Sequence, residues 1–342
     1  MADVTILGAG SWGTAIAVLL ANNGNRVKLW GRVEDGVEEL NQARENRRFL
    51  PGVRLPEGIS ATANLTEALQ GNVHNIIIAV PSQVVRAVAR QAQELIPADS
   101  LIVNLAKGIE TTSLMRLSEV IEEELGAKTK RISVLLGPSH AEEVGRGIPT
   151  AVVAAARMRE VAEEVQDLFM GSNFRVYTNP DLVGVEIGAT LKNVIALCAG
   201  IADGLGFGDN SKAALMTRGI AEIGRLGVAM GASPMTFAGL TGIGDLIVTC
   251  TSMHSRNRRA GIQIGKGVKL DKVLADMGMV VEGVSATKAA VALSERYKIS
   301  MPIAQEAYQV LFADKDPLDA VMNLMGRQKT HEIEEVATIA GW

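Results

Sequence analysis

Cysteine is scarce: the 342-residue chain has two, Cys198 and Cys250. They form no CxxC pair and do not suggest a disulfide scaffold. Histidine is nearly as rare, at four residues (His74, His140, His254, His331), and no metal-ligand spacing connects them, so no metal is expected. An aromatic content of 4% leaves little surface for stacking bases. A net charge of −4 and a pI of about 5.7 exclude a general nucleic-acid binder. No apolar run approaches the length of a membrane span, so no insertion into a membrane is expected. The opening MADVTILGAG reads as a strand entering a turn and not as a signal peptide, which points to the cytoplasm.

What remains is an ordinary globular composition, 47% hydrophobic and 21% charged, on a chain long enough for two domains. Glycine is plentiful at 35 residues, and much of it sits in motif-like loops. The first such loop follows the apolar run Val4–Leu7 and precedes the helical pattern Thr14–Ala21. It reads Gly8-Ala9-Gly10-Ser11-Trp12-Gly13, a G-x-G-x-x-G between strand and helix. Gly8 suits the tight turn, Gly10 admits a pyrophosphate to the backbone, and Gly13 lets the helix sit close to the strand. The helix N-terminus then favours the anion. A second strand, Arg26–Leu29 and onward, ends at Arg32 where an NAD-selective site usually carries an acid. A guanidinium suits a 2′-phosphate, which favours NADP or the use of both cofactors; the alternative is a solvated loop arginine.

A polar helix is expected within Asn41–Leu55, followed by Pro and Gly turns, with Phe49 either closing over the cofactor or anchoring the loop. Apolar strands are expected at Ile76–Val80, Leu101–Leu105, Ile132–Leu136, Thr150–Ala155 and Arg175–Thr178, with helices between them. This alternation is that of a doubly wound, Rossmann-like α/β domain. Ligands bind beyond the carboxyl ends of such strands, where Lys107, Gly137 and Ser139 fall. His140 beside them is read as a surface histidine, with a proton carrier as the alternative.

After Pro180 the pattern becomes helical throughout, so an all-α second domain is expected, with a division at 1–188 and 189–342. The stretch Val183–Gly219 is the centre of the chain: a strongly apolar helix carries one lysine, Lys192, followed by Asn193. Burial disfavours an ammonium and would bring its pKa toward the range useful for acid–base chemistry. The plainer alternative is a lysine that snorkels to water. Asp245 and Thr249, four residues apart, share a face of a later helix; Asp245 either caps that helix, orients the lysine or bonds a substrate hydroxyl. Cys198 lies roughly 240° around the helix from Lys192, which counts against a cysteine nucleophile. The run Ser255-Arg256-Asn257-Arg258-Arg259 is either a solvated helix start or a phosphate seat. Physics alone does not assign Val280-Val281-Glu282-Gly283.

Together GAGSWGTAIA, VPSQ, LAKGIE, LGPSHAEEV, the segment EIGATLKNVIALCAGIADGLGFGDNSKAAL, GIGDLIVTCTSMHSRNRRAG and VVEGV resemble bacterial-type NAD(P)-dependent glycerol-3-phosphate dehydrogenase, from residue 3 to about 312. The resemblance implies reversible hydride transfer between NAD(P)H and C2 of dihydroxyacetone phosphate, supplying sn-glycerol 3-phosphate for phospholipid synthesis. It implies Lys192 as the acid/base. It places Lys107, Gly137, Ser139, Asp245, Ser255, Arg256 and Asn257 on substrate, with Asn193 and Thr249 beside them. Around the cofactor it places Gly8, Gly10, Ser11, Trp12, Gly13, Arg32, Phe49, Lys107, Ala141, Arg256, Val280 and Glu282. Val33 stands where some members carry a polar or basic residue, so the strength of an NADPH preference is open. A homodimer is compatible with the resemblance. Two rivals stand beside this reading: a hydroxyacid dehydrogenase acting on a carboxylate, and a redox sensor that binds NADP without turnover.

Overall fold

A computed structural model describes residues 1–71, 73–329, 331 and 332. Ten strands are present among them: β1 (Asp3–Leu7), β2 (Arg26–Trp30), β3 (Glu45–Asn46), β4 (Leu50–Arg54), β5 (Ile59–Thr62), β6 (Asn75–Ile78), β7 (Leu101–Asn104), β8 (Ile132–Leu136), β9 (Thr150–Ala156) and β10 (Phe174–Asn179). Eight form one sheet in the order β10-β9-β8-β7-β6-β1-β2-β5. Continuous apolar runs make its centre: every residue of β7 and β8 is buried, as a strand covered on both faces requires. The order reverses between β1 and β6, and the crevice beyond their carboxyl ends is where such folds place a ligand.

Three features depart from the sequence reading. The expected polar helix is a single turn, Leu40–Ala43, followed by the β3–β4 hairpin with Phe49 in its turn. Ile59–Thr62 is a strand that pairs in parallel with β2. The sheet is mixed, because β9 pairs antiparallel with β8 while β10 follows β9 in parallel.

The helix Leu182–Gly204 is unbroken and joins the two halves. Leu182, Val185 and Ala189 pack on Val134, Leu136, Val153 and Ala155 of the sheet. Ile187, Leu191, Val194 and Ile195 pack into the helical bundle. The proposed division at 188/189 therefore passes through one continuous helix. This helix also corrects the expectation about apolar runs: at 23 residues with a mean hydropathy of 1.6 it has the length and composition of a span. Its apolar surface meets protein on all sides, with 89% of the apolar window buried.

One seam sets the geometry of the second half. Asn193, Leu197, Gly200 and Gly204 recur on one face of the long helix. Asn257, Gly261 and Gly265 recur on the helix Arg256–Gly265 that crosses it. The glycines bring the backbones into contact: a Cβ built on Gly261 would overlap the Leu197 carbonyl and lie 2.9 Å from Gly200 Cα. Alanine normally improves a helix over glycine by about 1 kcal/mol. Here the added carbon must displace backbone, and overpacking costs roughly 1–3 kcal/mol. Gly261→Ala is thus expected to lower the thermal midpoint, whereas Gly224→Ala, whose nearest neighbour would be Phe237 Cδ2 at 3.8 Å, should leave it unchanged or raise it. Thermal denaturation of the two variants checks this; a stabilised Gly261→Ala would contradict the close crossing.

Candidate active site

The cofactor loop is built as its glycines require. Gly8 has φ +127° and a Cβ there would lie 2.6 Å from the Ala79 carbonyl oxygen, so no other residue fits without moving β6's exit. Gly10 has open space where a Cβ would go. It precedes the helix Ser11–Asn22 without any side-chain cap, so the first-turn amides face that space unfilled. Trp12 Nε1 is buried and has no partner in the protein. An open backbone cradle, uncapped amides and an orphaned donor fit a dinucleotide. The hairpin is bound to this loop. Asn46 donates to the Ala9 carbonyl (2.9 Å) and Thr14 Oγ1 (2.8 Å) and accepts from Phe49 N (3.1 Å). Ser11 Oγ donates to the Phe49 carbonyl at 2.6 Å. Asn46 was not singled out from sequence, since a lone asparagine carries no spacing signal.

Arg32 stands just past β2 with its side chain 63% exposed. Its guanidinium is engaged by Asp35 at 2.8 Å and Glu34 at 3.3 Å. Arg48 approaches the same Asp35 at 3.6 Å and lies 4.9 Å above the Phe49 ring. Both arginines thus frame the place where β2 ends.

The chemical centre is a carboxylate held by one lysine from each half of the chain. Lys192 is 4% exposed; its Nζ donates to Asp245 Oδ1 at 2.6 Å and to Thr249 Oγ1 at 2.5 Å. Thr249 accepts there because its own hydroxyl donates to the Asp245 carbonyl at 2.6 Å. Lys107, carried past the end of β7, donates to Asp245 Oδ2 at 2.8 Å and to the Gly137 carbonyl at 2.7 Å. Ser139 Oγ donates to that same carbonyl at 2.9 Å. Burial pushes Lys192 down to about 8, with Asp245 opposing the shift and Lys107 adding to it. Burial alone would raise the Asp245 carboxyl, and the two lysines overcome it and hold it below its ordinary value. Snorkelling is therefore overturned for Lys192, and the cap alternative for Asp245. A π turn, Leu240–Gly244, runs directly into the helix Asp245–Thr251, so the Asp245 side chain lies inside a continuous helical stretch and caps nothing. Such turns gather at functional sites because they re-aim the side chain that follows. Cys198 is excluded from this chemistry, since burial pushes its thiol up to about 12.

The basic run forms the second part. Ser255 caps the helix Arg256–Gly265, accepting from Arg258 N at 3.2 Å. Arg256 is half-buried; Nη1 donates to the Val280 carbonyl at 2.9 Å, and burial pulls its pKa down against Glu282 and Glu142. Asn257 donates to Asn193 Oδ1 and accepts from Gly283 N, both at 2.8 Å, leaving one amide hydrogen uncommitted. Arg258 is taken up by Asp203 at 2.8 Å, beside Lys212. Ala141 is buried and Val280 is 44% exposed. The Glu282 carboxylate crosses to the sheet half, accepting from Ser82 N (3.0 Å) and Ser82 Oγ (2.5 Å). Ser82 follows β6 but went unassigned, because a Pro-Ser turn alone does not show a partner 200 residues away. His140 is not the surface residue expected: it is half-buried, and its Nε2 is buried without a partner in the protein. Among the described residues no cluster of three or more His, Cys, Asp or Glu could hold a metal.

A buried lysine on a carboxylate shared with a second lysine can supply a proton to, or take one from, an oxygen beside it. Comparisons with known proteins bear on the family to which such a chain belongs. Glycerol-3-phosphate dehydrogenase [NAD(P)+] of Bacillus velezensis is 56% identical over 337 residues, covering 98% of this chain and 97% of that one. The protein of the same name from Pelotomaculum thermopropionicum is 57% identical over 338 residues, covering 98% and 97%. The crystal structure of glycerol-3-phosphate dehydrogenase from Coxiella burnetii superposes with a TM-score of 0.91 at 39% identity, covering 95% of this chain and 99% of that one. Family models described as the N-terminus and C-terminus of NAD-dependent glycerol-3-phosphate dehydrogenase match residues 3–162 and 181–322. The Gly-loop cradle therefore falls within the first match and the Lys192–Asp245 pair within the second, and the chain belongs to the NAD-dependent glycerol-3-phosphate dehydrogenase family.

Proposed function

We propose that the chain catalyses reversible, NAD(P)-dependent interconversion of dihydroxyacetone phosphate and sn-glycerol 3-phosphate, with Lys192 as the acid and base. The observation that carries the assignment is the Asp245 carboxylate shared by Lys192 and Lys107, one lysine from each half of the chain. Bound nicotinamide supplies the hydride to C2 in reduction and accepts it in oxidation. Protonated Lys192 stabilises the oxyanion that forms at C2 and then gives it a proton: an Nζ–H bond breaks, an O–H bond forms, and Lys192 is left neutral. Asp245 keeps the lysine charged in a buried place and fixes its direction. Lys107 adds positive charge on the other side of the carboxylate. In oxidation, neutral Lys192 takes the hydroxyl proton.

Arg256 and the free amide hydrogen of Asn257 hold the phosphate. Its binding energy orients the ketone, so phosphate contacts contribute to turnover as well as affinity. Gly8–Gly13 would hold the cofactor, with Ser11 and Trp12 at the helix start and Phe49 beside them contributing to its binding. Arg32 gives NADPH an advantage over NADH. Asp35 and Glu34 already engage that guanidinium, so the advantage is modest. The product serves phospholipid synthesis in the cytoplasm.

Lys192→Ala should bind NADPH as the parent does and lose roughly 10²–10⁴-fold in turnover. NADPH fluorescence titration beside a saturating-substrate assay checks both halves; turnover within tenfold of the parent would remove Lys192 from the chemistry. Arg256→Lys keeps the charge and loses the planar fork. A large rise in KM for dihydroxyacetone phosphate is expected, and unchanged kinetics would leave the phosphate unassigned. Arg32→Asp should raise Kd for NADPH about tenfold and alter NADH little, the lower end of a charge-assisted contact. Equal losses for both would show that Arg32 does not meet the 2′-phosphate.

A further inference from the structure

One half-buried side chain between the lysines and the phosphate seat is used by nothing described so far. His140 follows the Gly137-Pro138-Ser139 turn on the sheet half. Its ring lies against that of His254, with centroids 5.7 Å apart and planes inclined at 51°. His254 belongs to the helical half and stands directly before Ser255-Arg256-Asn257. The two elements also meet through charge: Arg256 interacts with Glu142, two residues past His140. Lys192 and Lys107 are near enough to act on His140 through charge, and Glu142 and Glu143 lie on its own helical turn. The imidazole thus has the His254 ring against it and lies within the charge of Lys192, Lys107, Glu142 and Glu143. Its Nε2 is fully buried and has no partner in the protein.

We propose that His140 contacts substrate: from the sheet half, its Nε2 hydrogen-bonds the phosphate that Arg256 and Asn257 hold from the helical half. This rests on the triose-phosphate reading above and adds to it a contact from across the cleft. A buried polar atom left without a partner is costly, and a phosphate oxygen seated there would recover that cost. Burial, Lys192 and Lys107 all hold the imidazole below its ordinary pKa, so it is neutral. A neutral ring carries one N–H and can donate it without adding charge beside two lysines. Phosphate would then be the group that ties the two halves together, and its absence would leave His140 idle.

The test pairs two substrates and two variants. His140→Ala should lower kcat/KM for dihydroxyacetone phosphate roughly tenfold, the loss of one hydrogen bond to a charged group. It should leave kcat/KM for phosphate-free dihydroxyacetone and Kd for NADPH within about twofold. His140→Gln keeps an N–H donor and should restore most of the difference, and it decides the matter if the alanine variant fails to fold. Equal losses on both substrates, loss of NADPH affinity, or full activity of both variants would each overturn the proposal. A parent that turned over neither ketone would instead defeat the reaction assignment itself.

Discussion

The Asp245 carboxylate is the point on which the two halves converge. It is 1% exposed and binds Lys107 from the sheet half at 2.8 Å and Lys192 from the helical half at 2.6 Å. Without it the buried Lys192 and the half-buried Lys107 would face each other unpaired, and breaking a buried pair such as Lys192–Asp245 costs roughly 3–5 kcal/mol. With it, one negative charge offsets two positive ones, and the surplus is a cation. That surplus is what an oxyanion forming beside it requires. Stability and chemistry are therefore served by the same four atoms, the two Nζ and the two carboxylate oxygens between them.

The rest of the architecture holds these atoms in register. Gly137 has φ +144°, and the carbonyl it aims back accepts from Lys107. The π turn before Asp245 and the Thr249 hydroxyl fix the carboxylate and the lysine from the helical side. The glycine seam draws the Arg256–Gly265 helix against the long helix, which sets the seat beside Lys192 through the Asn193–Asn257 bond. Glu282 then reaches over to Ser82, so the end of β6 and the start of the helix Glu282–Tyr297 move as one. On the proposed reading, binding energy from a phosphate at the seat would thereby reach the reacting carbon without any contact to it.

Much of this was legible because it is local. The Gly8–Gly13 loop, the strands of the sheet centre, the single lysine in an apolar helix and the basic run all carry a spacing or a composition that physics interprets. The failures are non-local or marginal. The first part of Asn41–Leu55 is polar enough to pass for a helix longer than one turn, and only pairing between β3 and β4 decides otherwise. Ile59–Thr62 is four residues long and becomes a strand through β2 alongside it. The direction of β9 depends on the chain path between elements, which hydrophobic periodicity does not record. Asp245 offered three roles from sequence; the partners it meets, 53 and 138 residues away, select the lysine. His140 illustrates the same limit, since the ring it meets, His254, comes from the helical half.

The most direct test is the pH dependence of kcat/KM in both directions, which reports groups of the free enzyme. Lys192 is pushed down to about 8, and reduction needs it protonated. The rate of ketone reduction should hold on the acid side of that value and fall as pH rises through it. Alcohol oxidation needs the neutral amine and should rise through the same value. Profiles flat from about pH 7 to about pH 10 in both directions would contradict a lysine as the group that carries the proton.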